Sequence, residues 1–258
     1  MKTWPRSRPL GSLVLGLLAS SCAGRPAADR PSSVVRAAVA GNFAQPQRAL
    51  ARRFQEMRGI RVETSIGSTG QLYAQIANGA PYDVFLAADT TRPYLLEAEG
   101  LAVPGTRFTY AVGRVVLYAP GWDSIGSGPE ALKTRAFQHL AIANPETAPY
   151  GAAARAILIA WGSWDSVLPR IVRAENVAQA FQFVESGAAE VGFVALSQVT
   201  DRNSEHYAVL PNRLHPPIQQ DAVLLRGAEH HPGAQAFLSF LQSDAGRQVI
   251  ARYGYQRP

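Results

Sequence analysis

The chain has 258 residues and a formal charge of +6, of which three bases (Lys2, Arg6, Arg8) fall in residues 1–21 with no acid beside them. Beyond that segment 22 basic residues face 19 acidic ones, and a scattered net charge of +3 is too weak for a nucleic-acid binder. The single cysteine, Cys22, excludes an internal disulfide, and roughly 225 residues after Ser33 suffice for one large domain or two lobes of about 100.

The opening stretch MKTWPRSRPLGSLVLGLLASSCAG has a basic start, an apolar core from Leu10 to Leu18, and small residues before Cys22. It predicts an export signal over residues 1–21, too short for a membrane-spanning helix. Small residues leading to a lone cysteine resemble a bacterial lipoprotein cleavage box, which predicts acylation of Cys22 and a lipid tether, with residues 22–33 as a spacer. Ala19 stands where such boxes usually carry leucine, so cleavage near Ala23 without lipid is the other reading. On either, the mature chain works in the periplasm or elsewhere outside the cytoplasm.

From Val34 onward, short β-branched runs alternate with longer helical ones. VVRAAVA (34–40) predicts a strand, GNFAQP a turn, and Gln47–Gly59 a helix closed by glycine. IRVETSI predicts the second strand, GSTG a turn, and Gln71–Asn78 a helix; DVFLAAD is a buried strand, followed by a helix over Pro93–Glu99. After YAVGRVVLYAP and a Gly/Ser loop (Gly121–Gly128) a second block repeats the alternation. HLAIANP, PRIVRAE and EVGFVALSQV read as strands, the last running into a helix, with helices over GAAARAILIAWG and NVAQAFQFVESG between them. DAVLLR closes as a strand and residues 234–254 as one helix. The β-α-β order implies α/β lobes, each a mostly parallel sheet flanked by helices, with a cleft between them. The first lobe is expected over residues 34–112 plus 221–258 and the second over 113–220.

Ligands of parallel sheets collect where strands end and helices begin, beside unpaired N–H groups and the positive end of the helix macrodipole. At those corners stand Asn42 after Gly41, then Ser68 and Thr69 in GSTG, then the backbone at Ala88. Tyr150, whose phenolic O–H could donate into the cleft, follows in NPETAPYG, and Val177 in AENV. Asn42, Ser68 and Thr69 also suit helix caps, and Tyr150 an ordinary half-buried position. Asp89 reads as the cap of the helix containing Pro93. GSTG is no nucleotide loop, because Gln71 stands where that motif carries lysine. Every candidate is a neutral donor or a backbone N–H, which suits a ligand that only accepts.

VAGNF, GSTGQLYAQIANGAPYDVFLAAD, ANPETAPYG, ENVAQAFQFVESGAAEVGFVALSQV and FLSFLQSDAGRQVIARYGY resemble the molybdate-binding proteins of molybdate ABC importers, in order from Val34 to Tyr255. The resemblance implies a two-lobed periplasmic-binding-protein fold of type II, closing on one tetrahedral oxyanion, molybdate or tungstate. It places the contacts on Asn42, Ser68, Thr69, the Ala88 backbone, Tyr150 and Val177. Any metal is held through the oxyanion only; no catalytic residue and no cofactor are implied. The implied partner is the membrane permease of the importer, with the chain a monomer. Some members take a tyrosine from the strand reading GFVALSQ, where Ala195 stands here; this chain follows those with a tyrosine after the NPE motif, Tyr150. Thr69 replaces the serine usual at its position.

Two other readings remain open at this level. The same fold could carry sulfate or a small organic anion, although no corner motif supplies the arginine fork that a carboxylate favours. A secreted serine hydrolase would use Ser68, but GSTG lacks the G-x-S-x-G frame and the five histidines lie far along the chain. His230-His231 beside Glu229 lacks metal-ligand spacing and reads as a solvated loop.

Overall fold

The computed structural model describes residue 1, residues 34–126 and residues 128–258. The export signal, the spacer and the acylation site at Cys22 lie outside the described residues.

Strand β1 (Val34–Ala40) runs through a 3-10 turn (Gly41–Phe43) into α1 (Ala44–Arg58), which ends on Gly59 in the left-handed conformation. Next come β2 (Arg61–Gly67), α2 (Thr69–Ala77), β3 (Val84–Leu86), α3 (Thr91–Ala98) and β4 (Phe108–Gly113). After Arg114 the chain leaves the first sheet for β5 (Val115–Tyr118), followed by α4 (Pro129–Thr134), β6 (Leu140–Ala143), α5 (Pro149–Ala160) and α6 (Trp164–Val167). Then follow β7 (Ile171–Ala174), α7 (Val177–Glu185), β8 (Val191–Ala195) and β9 (Tyr207–Val209). Strand β10 (Ile218–Leu224) returns to the first sheet, and α8 (Pro232–Gln242) and α9 (Asp244–Arg252) close the chain.

The first sheet has the order β2-β1-β3-β10-β4 and the second β7-β6-β8-β5-β9. In each, the three strands that feed the predicted corners are parallel: β1 pairs with β2 and β3, and β6 with β7 and β8. Each parallel core is then extended by one reversed strand, β10 or β5, and by a last strand antiparallel to that one, so the sheets are mixed. The mixing follows from connection length. The chain passes from β4 to β5 through one residue, and β10 comes back from the other lobe, so neither strand is delivered by a crossover helix.

Each sheet has its own core. Phe43, Leu50, Phe54 and Phe237 pack on one face of the first sheet, while Leu72, Phe85 and Leu96 pack on the other. Tyr118, Leu140, Ile157 and Phe193 anchor the second. Asp221, buried on β10, accepts from Arg107 and Thr109 at 2.7 Å each and so ties β10 to β4. The predicted terminal helix over 234–254 is two helices. Ser243 adopts an extended conformation and its hydroxyl caps α9 by accepting from the Gly246 N–H at 3.2 Å. At this break Gly246 packs so close to Phe240 and Leu241 that a Cβ there would overlap the Phe240 carbonyl.

Candidate functional site

Asn42, Ser68, Thr69, Ala88, Tyr150 and Val177 all line one small cavity, joined by the cap residue Asn176. The first four come from the first sheet's corners and the rest from the second sheet's. The cavity measures about 10 Å³, which is the scale of one water-sized sphere. The two lobes are shut on each other. The Gly70 N–H donates across to the Thr147 carbonyl at 2.9 Å, and Ser197 Oγ donates to the Asn42 carbonyl at 2.7 Å. Sugars, nucleotides and peptides need pockets of several hundred Å³.

The donors left over can be found by accounting for each helix start. Ser68 caps α2: its hydroxyl accepts from the Gln71 N–H at 3.3 Å, and Gln71 returns a bond to the Ser68 N–H. The carbonyl of Ser68 takes the Leu72 N–H and Thr147 takes that of Gly70, which leaves the N–H of Thr69. On α5, Pro149 has no N–H, and Gly151 and Ala152 both donate to the Ala148 carbonyl, which leaves the N–H of Tyr150. On α7, Asn176 Oδ1 accepts from Ala178 and Gln179 at 3.0 and 3.1 Å, which leaves the N–H of Val177. Three helix starts thus each keep one unspent N–H at the cavity.

Cap and ligand donor are therefore not rival roles for Ser68. A hydroxyl that accepts a capping bond still has its own proton to give, and the cap fixes where its oxygen sits. Thr69 behaves alike: its Oγ1 accepts the Ala88 N–H at 3.0 Å, fully buried, and keeps its proton. This corrects the expectation for Ala88. Its N–H is spent on Thr69, and Ala88 lines the cavity without offering a backbone donor. The cap position of α3 is Thr90 rather than Asp89, but Asp89, one residue ahead, still satisfies the helix start, its Oδ1 accepting from the Arg92 N–H at 2.9 Å.

Asn42 is 1 % exposed, and its side-chain amide lies in hydrogen-bond contact with the Gln220 amide at 2.9 Å and Tyr255 Oη at 2.8 Å. The phenol of Tyr150 lies against Gly113 beside Gln220 and has no hydrogen-bond partner. Gly113 is required here, since a Cβ would overlap that phenol. Ala195 is buried in β8. Gln220, Tyr110, Tyr255 and Ser197 form a polar cluster behind Asn42 that the corner motifs do not announce. Its one local signal is Gln220-Asp221, two polar residues opening an otherwise apolar buried run.

The lining carries no carboxylate, histidine or basic side chain. Three helix N-termini direct the positive ends of their dipoles at it. Burial pushes Tyr150 and Tyr110 well above the ordinary phenol range, with neighbouring Tyr255 adding to it, and burial raises Tyr255 to about 12. All three stay protonated at neutral pH. Because the folded values lie above the ordinary 10, the native state keeps protons that the unfolded chain releases. This contribution to stability is whole below pH 10 and is lost as pH climbs through about 12. The urea midpoint should accordingly fall between pH 9.5 and 11.5; a flat profile over that range would contradict it.

Ser68 has no base. No histidine lines the cavity; the His231 ring bonds the Val34 carbonyl at 3.0 Å and His215 the Pro216 carbonyl at 2.8 Å. Among the described residues no group of three or more His, Cys, Asp or Glu could hold a metal ion.

Comparison with known proteins gives the family. Residues 35–256 match the family model described as bacterial extracellular solute-binding protein. The molybdate-binding protein ModA of Azotobacter vinelandii is 45 % identical over 252 residues, covering 96 % of this chain and 97 % of that one. ModA of Rhodobacter capsulatus is 40 % identical over 244 residues, 95 % and 93 % of the two chains. The solved structure of the Azotobacter vinelandii periplasmic molybdate-binding protein superposes with a TM-score of 0.84 at 36 % identity, over 87 % of this chain and 99 % of that one. The chain belongs to the family of bacterial extracellular solute-binding proteins, and to its ModA members.

Proposed function

We propose that this protein captures molybdate or tungstate outside the cytoplasm and delivers it to the membrane permease of an ABC importer. The observation that carries the reading is the convergence on one cavity of unspent N–H groups from Thr69, Tyr150 and Val177 with the hydroxyl protons of Ser68 and Thr69. All are donors. A fully deprotonated dianion accepts everywhere, so it suits such a site, whereas protonated phosphate wants one acceptor. Asn42 supplies a further polar contact, and Ala88 closes the wall without a donor. The lobes divide near Arg114 and between Val209 and Ile218, where the chain passes between the sheets, so the boundary expected at 220/221 falls inside β10.

The oxyanion is cargo, and the protein needs neither a cofactor nor a catalytic residue. It acts as a monomer, with Cys22 as a lipid tether to the membrane. The relatives' names support the cargo, and the sulfate and organic-anion reading has no basic side chain in the lining to favour it.

Asn42→Ala and Ser68→Ala should each weaken molybdate binding about tenfold by titration calorimetry, as expected for a hydrogen bond to a charged group. Ser68→Ala should also lower stability by about 1 kcal/mol through the lost cap. Unchanged affinity in both variants would mean that the anion sits elsewhere. Opening of the shut lobes in the absence of anion is a hinge motion, so small-angle scattering should show compaction when molybdate is added.

A further inference from the structure

Gln220 is 0 % exposed on β10, and its amide stands among groups whose protons can be counted. It faces the Asn42 side-chain amide at 2.9 Å and the Tyr110 hydroxyl at 3.0 Å. Its Nε2 lies 2.6 Å from where a Gly113 Cβ would stand, and the Tyr150 hydroxyl lies against the same point. With the Asn42 nitrogen turned to Gln220 Oε1, three buried atoms have no partner: Asn42 Oδ1, Gln220 Nε2 and Tyr150 Oη. That arrangement would also set a bare acceptor oxygen beside a dianion.

The neighbouring hydroxyls decide which way the amides face when the site is loaded. Tyr110 has one proton and also touches the Ala87 carbonyl at 3.0 Å. A carbonyl can only accept, so it takes that proton, and the Gln220 atom facing Tyr110 must donate. That nitrogen then needs an acceptor in Asn42, which turns Asn42 Oδ1 inward. Tyr255 Oη lies 2.8 Å from the same Asn42 atom and 2.9 Å from the Asn42 carbonyl; Ser197 already donates to that carbonyl at 2.7 Å, so the Tyr255 proton goes to Asn42 Oδ1, whereas the Ala87 carbonyl has Tyr110 as its donor. Gln220 Oε1 is then free to accept from Tyr150, and Asn42 Nδ2 turns to the cavity. All three orphaned atoms are engaged by half-turns of two amides, whose oxygen and nitrogen ends have the same shape.

We infer that the Asn42 amide holds its nitrogen toward the cavity and the Gln220 amide its nitrogen toward Tyr110, and that Gln220 is a positioning residue aiming the Asn42 Nδ2 protons at the oxyanion while the Tyr150 hydroxyl holds Gln220 in place. This rests on the oxyanion-binding reading and adds a role for a residue that lies outside the cavity wall. It also separates two functions of Tyr150: its N–H faces the anion, and its phenol acts through Gln220.

The test is a double-mutant cycle read by molybdate titration on the full chain. Tyr150→Phe should weaken binding about fivefold and Gln220→Met about tenfold. In the Gln220→Met background, Tyr150→Phe should change the affinity less than twofold. Costs that multiply independently would overturn the inference, because they would mean that the phenol touches the anion itself. If the Gln220 variant does not fold, asparagine-selective nitrogen-15 spectra of the wild type decide. The Asn42 side-chain NH2 signals, identified by their absence in Asn42→Ala, should move on molybdate addition; signals that stay put overturn it. A wild-type protein that binds no tetrahedral oxyanion removes the functional reading and the inference together. Independent costs in a protein that does bind remove the inference alone.

Discussion

Molybdate at a thousandfold excess over its dissociation constant should raise the melting temperature by roughly 8–16 °C. A ligand bound only by the native state stabilises it by about 4 kcal/mol at that excess, and each kcal/mol moves the midpoint by about 2–4 °C in a domain of this size. Tungstate should match molybdate, since the two ions share charge, shape and nearly size. Sulfate and phosphate should move the midpoint by less than about 2 °C. Sulfate has the right charge, but its shorter bonds leave donors spaced for the larger ion badly paired. Each unmade bond costs on the order of 1–3 kcal/mol, so two or three mismatches suffice. Phosphate carries a proton at neutral pH, and the lining offers no carboxylate or imidazole to receive it. A thermal-shift panel of the four ions checks all of this at once, and a sulfate response equal to that of molybdate would end the claim of specificity.

The donors were legible in the sequence because they are local chemistry. A serine and a threonine between glycines after a β-prone run specify a cap, and a cap specifies where an oxygen stands. Asparagine before α7 works the same way, leaving the Val177 N–H over; at Tyr150 the sequence pointed to the phenol, and the N–H left beside Pro149 emerges only from the fold. What a local pattern does not specify is which distant group claims a donor first. The Ala88 N–H was free to face a ligand until the fold brought Thr69 Oγ1 within 3.0 Å of it. The cluster behind Asn42 is more remote still, since Gln220 and Tyr255 are 178 and 213 residues away along the chain. Nothing in QQDAVLLR or RYGY says that they meet. The parallel core strands were readable from alternation with helices. The pairing of β5 with β9, and the break at Ser243, depended on short segments whose partners are set by packing.

Gly70→Ala should weaken molybdate binding by about thirtyfold to a thousandfold while leaving the unloaded protein as stable as before, or slightly more so. Gly70 lies in α2 and is not among the glycines with positive φ, so alanine fits its backbone. In a helix that exchange favours folding by about 0.5–1 kcal/mol. The cost appears only when the lobes shut. A Cβ at residue 70 would stand 2.9 Å from the Thr147 carbonyl oxygen, 3.1 Å from its Cα and 3.3 Å from Arg92 Nη2. The first two belong to main chain of the opposite lobe and cannot swing aside, so the cleft is propped open. Overpacking of this kind costs about 1–3 kcal/mol, and the displaced Gly70 to Thr147 hydrogen bond about 1 more. The gap also moves the Thr69 N–H and the Ser68 hydroxyl away from those of Tyr150 and Val177, so the anion loses simultaneous contact with both walls. Calorimetry with molybdate, melting curves of the unloaded variant and scattering with and without anion separate these effects. The expected pattern is weak binding, an unchanged or raised melting point, and loss of ligand-induced compaction. A Gly70→Ala protein that binds as tightly as the wild type would show that closure across this seam plays no part in holding the anion.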